Sequence, residues 1–293
     1  MKLWKLKFKE SDPSNIKLRD EILAQIRSEF TVMPRFMFHQ PLDYDKISLP
    51  IKSIQPDRTS PRVPTDEFRF GYSLGDESVY LEWGAYDHGL ILNEIKRAGI
   101  MKDGLSILDF GCSSGRVLRH FEAQVNKNGW RVIGCDIQAR AIESMRADNW
   151  PDGFEFFTST TLPHLPFEDS SIDVIYSFSV FTHTKYLWDA WLLELKRVLK
   201  PGGIMMHTVH LEDAWKFYNK NRNEKWVQDS QVPEVYNVAE MNVDFLFDGD
   251  ASVSQVFWKR EILENYWSRY FDSIEILPPA DRFSFQNIVI LRK

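Results

Sequence analysis

Residues 107–117 read Ile-Leu-Asp-Phe-Gly-Cys-Ser-Ser-Gly-Arg-Val, and the rest of the chain is best read outward from them. The apolar run from Leu105 to Phe110, broken by Ser106 and Asp109, has the length and composition of a buried parallel strand. It breaks at Gly111-Cys112-Ser113-Ser114-Gly115 and restarts with helical spacing at Val117, Leu118 and Phe121. Glycine at both ends of the break permits a tight bend and a close approach of backbone to ligand. A helix over 114–126 would aim its free N–H groups into that bend. The pattern is that of a nucleotide-type pocket at the end of a strand.

Beyond this turn the chain alternates between two periodicities. Strands are expected at 105–110, 131–136, 154–158, 172–178 and 203–210, and helices at 114–126, 138–148 and 186–199. Such alternation implies an α/β fold with a parallel sheet and right-handed crossovers. Pro201-Gly202-Gly203 should stop the last helix and turn the chain into the next strand. A helix near 259–270 then leads to two apolar runs, 273–277 and 286–291, separated by Pro278-Pro279, which suits an antiparallel pair closing the sheet. Upstream, a helix is expected near 14–30, then a proline-punctuated stretch, then a helix capped by Asp76 or Ser78 and running to Ala98, with Gly99 beyond it. Residues 211–258 are polar with scattered aromatics and read as an inserted cap. The expected organisation is therefore an N-terminal extension over 1–100 that contributes to a substrate site. A cofactor domain over 101–293 follows, with its cap at about 211–258.

At 43% hydrophobic and 27% charged, the chain has the balance of a soluble globular protein. A net charge of −6 argues against nucleic acid as a partner. No apolar run approaches the roughly 18 residues of a membrane helix, so no membrane partner is expected. The basic N-terminus alternates Lys5, Lys7 and Lys9 with Leu6 and Phe8 as a strand would, with no signal-peptide apolar core. Two cysteines, Cys112 and Cys135, do not form a disulfide framework. The expected compartment is the cytoplasm. No His, Cys or Asp cluster has metal-ligand spacing, so no metal is expected. Oligomeric state is not legible here.

A second strand, Val132-Ile133-Gly134-Cys135-Asp136, ends in an acid about 20 residues past the glycine turn, where a ribose is held by its hydroxyls. The alternative is that Asp136 only caps the next helix. A dinucleotide turn needs Gly-x-Gly-x-x-Gly so that pyrophosphate can rest on a helix N-terminus. Here Ser113 stands between Gly111 and Gly115, and Leu118 stands three beyond. That spacing is absent.

With these residues the chain resembles the class I S-adenosylmethionine-dependent methyltransferases, whose first motif is acid-x-Gly-x-Gly-x-Gly. Asp109, Gly111 and Gly115 match it, and Ser113 replaces the central glycine. The resemblance continues through the segment 165–175, the run Ser177-Phe178-Ser179-Val180-Phe181-Thr182-His183, and Leu195-Lys196-Arg197-Val198-Leu199-Lys200-Pro201-Gly202-Gly203. It implies a Rossmann-like, mostly parallel seven-stranded sheet with helices on both faces and a final antiparallel strand. It also implies S-adenosyl-L-methionine as cofactor. By position, Asp109 would face the amino-acid end, backbone at Gly111, Cys112 and Ser113 would line the methionine portion, and Gly115 would close the turn. Asp136 would hold the ribose and Ile137 would pack on adenine. Relatives place an acid where this chain has Thr161 and Leu162, so adenine recognition would use backbone at Thr160, Thr161 and Leu162. Ser177 and Phe178 would pass beside the reactive methyl.

Methyl transfer is an in-line displacement that positioning alone accelerates substantially, and a hydroxyl acceptor gains further from a general base. Histidine suits that role at neutral pH. The candidates are His183 after the fourth strand, and His207 and His210 on the fifth, which alternation places on opposite faces. His183 is preferred, although it could equally cap the helix beginning near Lys185. Tyr80, Trp83, Tyr86, Trp215, Tyr218 and Trp226 would enclose an acceptor or bury the cap on the sheet. The expected function is methylation of a small molecule, at a hydroxyl of a sugar or natural product. Small-molecule N-methylation, a non-catalytic cofactor-binding partner protein and a nicotinamide oxidoreductase are the competing readings.

Overall fold

In the computed structural model the described residues are 61–69, 76–184, 187–229, 245–248, 255–280 and 285–293, all within one unit spanning 34–293. The helix expected near 14–30 and the Lys-alternating N-terminal segment lie outside them. Seven strands form one sheet: β1 Ser106–Phe110, β2 Arg131–Asp136, β3 Phe154–Thr158, β4 Ile172–Ser177, β5 Leu199–Val209, β8 Ser273–Leu277 and β9 Asn287–Arg292. Their order is β3-β2-β1-β4-β5-β9-β8. β9 pairs antiparallel with both β5 and β8, while the remaining pairs are parallel. A separate hairpin joins β6 Phe245–Asp248 to β7 Gln255–Trp258.

Strand alternation divides the core into two layers. Ile107, Val132, Val174, Tyr176, Met206 and Ile290 face α1 Glu77–Arg97, α2 Glu122–Asn128 and α3 Ala139–Arg146. Leu108, Ile133, Ile175, Met205 and Leu291 face α4 Trp188–Val198 and α7 Arg260–Trp267. Each fully buried aliphatic side chain contributes roughly 1.5–3 kcal/mol. Covering both faces is what a parallel sheet requires, since its strands are apolar on both sides. The helix α1 begins where the sequence indicates: Asp76 accepts from the Ser78 N–H, Ala98 is its C-cap, and Gly99 follows at φ +72°.

Two elements differ from expectation. The helix expected over 114–126 is a turn, then a single 3-10 segment at Leu118–Phe121, and only then α2. Gly115 sits at φ +77°, a left-handed conformation that postpones helix formation past the turn. The second difference concerns β5, which starts at Leu199 rather than 203. Ile172 pairs with Leu199, the register then shifts, and Val174 pairs with Ile204. Lys200 to Gly203 is thus looped out within the strand, with Gly202 at φ +77°.

Between Val209 and β6 come α5 Glu212–Lys220 and α6 Lys225–Asp229. Trp215, Tyr218 and Phe257 form a cluster of their own with Ala214 and Val227. Neighbouring β7 residues Val256 and Trp258 belong instead to the α4/α7 layer. Among the described residues, no helix is long and apolar enough to cross a membrane.

Candidate active site

Strand order reverses between β1 and β4, and an open parallel sheet has its crevice at that point, beyond the carboxyl ends of its strands. The glycine turn leaves β1 there, and the 178–184 loop leaves β4 beside it. A small cleft there is lined by Arg69, Tyr80, Asp109, Gly111, Cys112, Ser113, Arg116, Val117 and Phe178.

The turn's amides are largely spent within the protein. The N–H groups of Gly111 and Cys112 both donate to the Cys135 carbonyl, at 2.8 and 2.9 Å. Gly115 N–H donates to Cys112 O at 2.9 Å, and Ser113 N–H to Asp136 Oδ2 at 2.8 Å. Ser113 occupies φ +51°, a left-handed conformation easiest for glycine, which explains the glycine that the family motif has here. Gly111, at φ +84°, has no room for a side chain: an added Cβ would lie 2.2 Å from Val180 Cγ2. The loop after β4 therefore packs directly on the turn after β1.

Asp109 is 3% exposed. Burial pushes its carboxyl up to about 8, against the opposing influence of the Tyr176 hydroxyl and the Arg116 charge. Tyr176 is its register partner on β4, so both side chains leave the same sheet face. Arg116 is held at 2.6 Å by Asp87 of α1, whose own carboxyl is raised because burial outweighs the guanidinium. Arg69 reaches the cleft from a short 3-10 turn at Asp66–Phe68 and pairs with Glu77 at 3.3 Å. The sequence reading missed both arginines. Arg116 directly follows the last glycine and could have been noticed; Arg69, some 40 positions upstream among prolines, carries no local signal. Tyr80, read as an acceptor-enclosing aromatic, lines this cleft instead and donates to Ser114 Oγ at 2.9 Å.

Asp136 makes the helix-capping bond that the sequence offered as one alternative, and a second bond, to Ser113, that it did not. One oxygen accepts from Ser113, and the other from Gln138 N–H at 2.8 Å as the chain enters α3. Burial raises its carboxyl. Ile137, Thr160, Thr161 and Leu162 follow at the tips of β2 and β3, outside the cleft lining. The Thr161 carbonyl already accepts from Trp191 Nε1 at 3.2 Å, and Leu162 N–H donates to Thr160 Oγ1 at 3.1 Å.

The remaining residues separate by sheet face. Ser177 and His207 pair in register and point into the α4/α7 layer, where Ser177 Oγ lies 2.7 Å from His207 Nδ1. His207 packs against Phe181 and Trp267, and burial holds its imidazole down at about 3. Neither side chain reaches the cleft. His210 leaves the other face at the end of β5, is 1% exposed, and is surrounded by Tyr218, Phe257 and Phe285. Burial, with the charge of His183, lowers it to about 3. Its Nε2 lies 3.3 Å from Gln286 Nε2, and Gln286 in turn bonds Ser179, whose N–H donates to Thr208 Oγ1 at 2.7 Å. His183 is half-buried in the 178–184 loop, its N–H donating to Val180 O at 2.8 Å. Phe178 lines the cleft, so this loop runs from the cleft toward the His210–Gln286 group.

With most of its amides already paired, the turn offers little cradle for a phosphate, unlike the turn of a dinucleotide binder. Residues 108–207 match the family described as a methyltransferase domain, and the chain carries a class I, S-adenosylmethionine-dependent domain of that kind. Its cofactor is S-adenosylmethionine. That molecule is zwitterionic at its amino-acid end, and a cleft lined by two guanidinium groups and a buried carboxyl fits both charges.

Among characterised proteins, the chain is 29% identical over 150 residues to sterol 24-C-methyltransferase ERG6B of Gibberella zeae, covering 48% of this chain and 38% of that protein. It is 33% identical over 106 residues to 24-methylenesterol C-methyltransferase 2 of Oryza sativa subsp. japonica, covering 35% and 28%. The chain thus spans well under half the length of these relatives. Among solved structures, the PH0226 protein of Pyrococcus horikoshii is similar at TM-score 0.46 and 19% identity, covering 71% of this chain and 90% of that one.

Proposed function

We propose that this chain transfers a methyl group from S-adenosylmethionine to a small-molecule acceptor, at a hydroxyl of a sugar or natural product, by in-line displacement. The cofactor supplies a methyl bound to sulfonium sulfur, which departs with the bonding electron pair left on sulfur. Arg69 and Arg116 hold the carboxylate of its amino-acid end, and Asp109, ionised by the approaching ammonium, holds the amine. Asp136 bonds the ribose with lone pairs not used on Ser113 and Gln138, while Ile137 and the backbone at 160–162 meet adenine. His183 accepts the proton of the acceptor hydroxyl. The described residues between 61 and 100 and those of the 211–258 segment are the enclosing parts of the acceptor site.

The observation that supports this reading is the contact of Val180 with Gly111. It carries one loop from the cofactor turn to His183, beside the polar group of Ser179, Gln286 and His210. Of the three histidines, His183 is the one outside the fully buried core.

The test is transfer of an isotopically labelled methyl group into a cell extract, with the product identified by mass spectrometry. Label on oxygen of a small molecule is the expected result. His183→Ala should lower turnover by about 10²–10⁴-fold, the usual contribution of a general base, with cofactor affinity unchanged. Label on nitrogen with turnover insensitive to His183 would instead make the chain an N-methyltransferase. Cofactor binding without transfer would make it a binding protein.

A further inference from the structure

Arg119 is buried, 9% exposed, yet among the described residues it makes no ion pair, and its guanidinium donates to backbone carbonyls. Nε donates to Gly115 O at 3.2 Å and Nη2 approaches Ser114 O at 3.5 Å, both in the glycine turn. Nη1 donates to Arg62 O at 3.2 Å, in a segment far upstream. The planar group lies 5.5 Å from the Tyr80 ring centroid and 5.8 Å from that of Trp150. A flat fork of donors enclosed by rings can hold three carbonyls in fixed relation, which a lysine ammonium on a flexible stem cannot do.

Besides the ion pairs Arg69–Glu77 and Glu67–Arg140, hydrogen bonds tie the segment 61–69 down at three places. Arg119 holds the Arg62 carbonyl. Asp148, beyond α3, accepts from Arg62 N at 2.7 Å and Arg62 Nε at 3.3 Å. Ser114 Oγ donates to Phe68 O at 2.6 Å. Within the segment, Arg69 Nε closes back on Pro64 O at 2.9 Å, and from outside it Glu77 of α1 pairs with Arg69 Nη2 at 3.3 Å, so the Arg69 head is set jointly by the anchoring of the segment and by α1.

We infer that Arg119 is a positioning residue that fastens the 61–69 strap to the glycine turn, and through the strap sets Arg69 at the carboxylate end of the cofactor cleft. The inference rests on the cofactor reading above and adds to it which part of the ligand the strap serves. The strap contributes a cation and no nucleoside-facing residue. Loosening it therefore weakens ligands that carry the amino-acid carboxylate and spares those that lack it.

The experiment compares calorimetric affinities of S-adenosylmethionine and 5′-methylthioadenosine, which has the nucleoside and thioether but no amino-acid end. Arg119→Lys, which keeps the charge but not the fork, should weaken S-adenosylmethionine at least fivefold while methylthioadenosine changes less than twofold. Asp148→Ala, which loosens the strap from outside the cleft, should show the same selective loss. Equal weakening of both ligands, or no change in either, overturns the role of Arg119, because a general packing defect would act on both. A wild-type protein that binds methylthioadenosine as tightly as S-adenosylmethionine overturns the assignment of Arg69 to the carboxylate. If the wild-type protein binds neither, the cofactor reading fails and this inference fails with it.

Discussion

Asp109 shows how a single residue can be read in the sequence while its chemistry is set by its surroundings. An acid at the end of a strand is easy to see in the sequence; that its carboxyl is held near 8 follows from complete enclosure. The folded protein binds this proton more tightly than the unfolded chain does, so the associated stability is present below about pH 4 and is lost as pH rises through about 8. Thermal melts of the ligand-free protein should show Asp109→Asn gaining on wild type across that window, by at most ~1.4 kcal/mol per pH unit. A constant gap between the two would contradict the assignment. Asp136 is the complementary case. Its carboxylate fastens Ser113 as well as the start of α3, so Asp136→Ala should weaken S-adenosylmethionine more than tenfold by calorimetry. Unchanged affinity would remove it from the site. The sequence left open whether Asp136 held a ligand or capped a helix, because a carboxylate has enough lone pairs for both.

At the scale of elements, the strands were legible to within a few residues, since buried parallel strands write continuous apolar runs. The turn between β1 and α2 was not. A glycine in a left-handed conformation does not announce how many further residues will stay out of the helix. Nor does sequence show that Val180, from the loop after β4, fills the space over Gly111. Gly111→Ala places a Cβ against Val180 in a backbone conformation that alanine resists, and should cost about 2–4 kcal/mol in denaturant unfolding. Adding Val180→Ala removes the clash but not the backbone strain. The double variant should recover only part of the loss; full recovery would mean the conformation itself carries no cost.

Across the whole molecule, α1 joins the cofactor cleft to the rest of the core. Ile91 and Ile95 bury it against the sheet, Tyr80 reaches the glycine turn, and Asp87 grips Arg116. Asp87→Ala removes the buried carboxylate that pairs with Arg116 and should lower stability by about 3–5 kcal/mol, read from the denaturation midpoint at constant slope. A loss below 1 kcal/mol would mean water reaches Arg116 freely. No spacing rule connects position 87 to position 116, and none connects Arg69 or Arg62 to the turn.

By itself the sequence determined the order of strands and helices, the two acids at the strand tips, and the absence of a pyrophosphate turn. These are local matters of periodicity, residue size and spacing; the family and its cofactor came from the resemblance of the motifs at 109–115, 165–183 and 195–203 to those of class I methyltransferases. Tertiary structure alone decided which side chains share the cleft. It turned Ser177 and His207 to the opposite face, because residues on a strand alternate and the register of β4 with β5 sends that pair into the α4/α7 layer. It also brought Arg69, Tyr80 and Arg116 to Asp109, because chain segments distant in sequence meet only where packing closes the core.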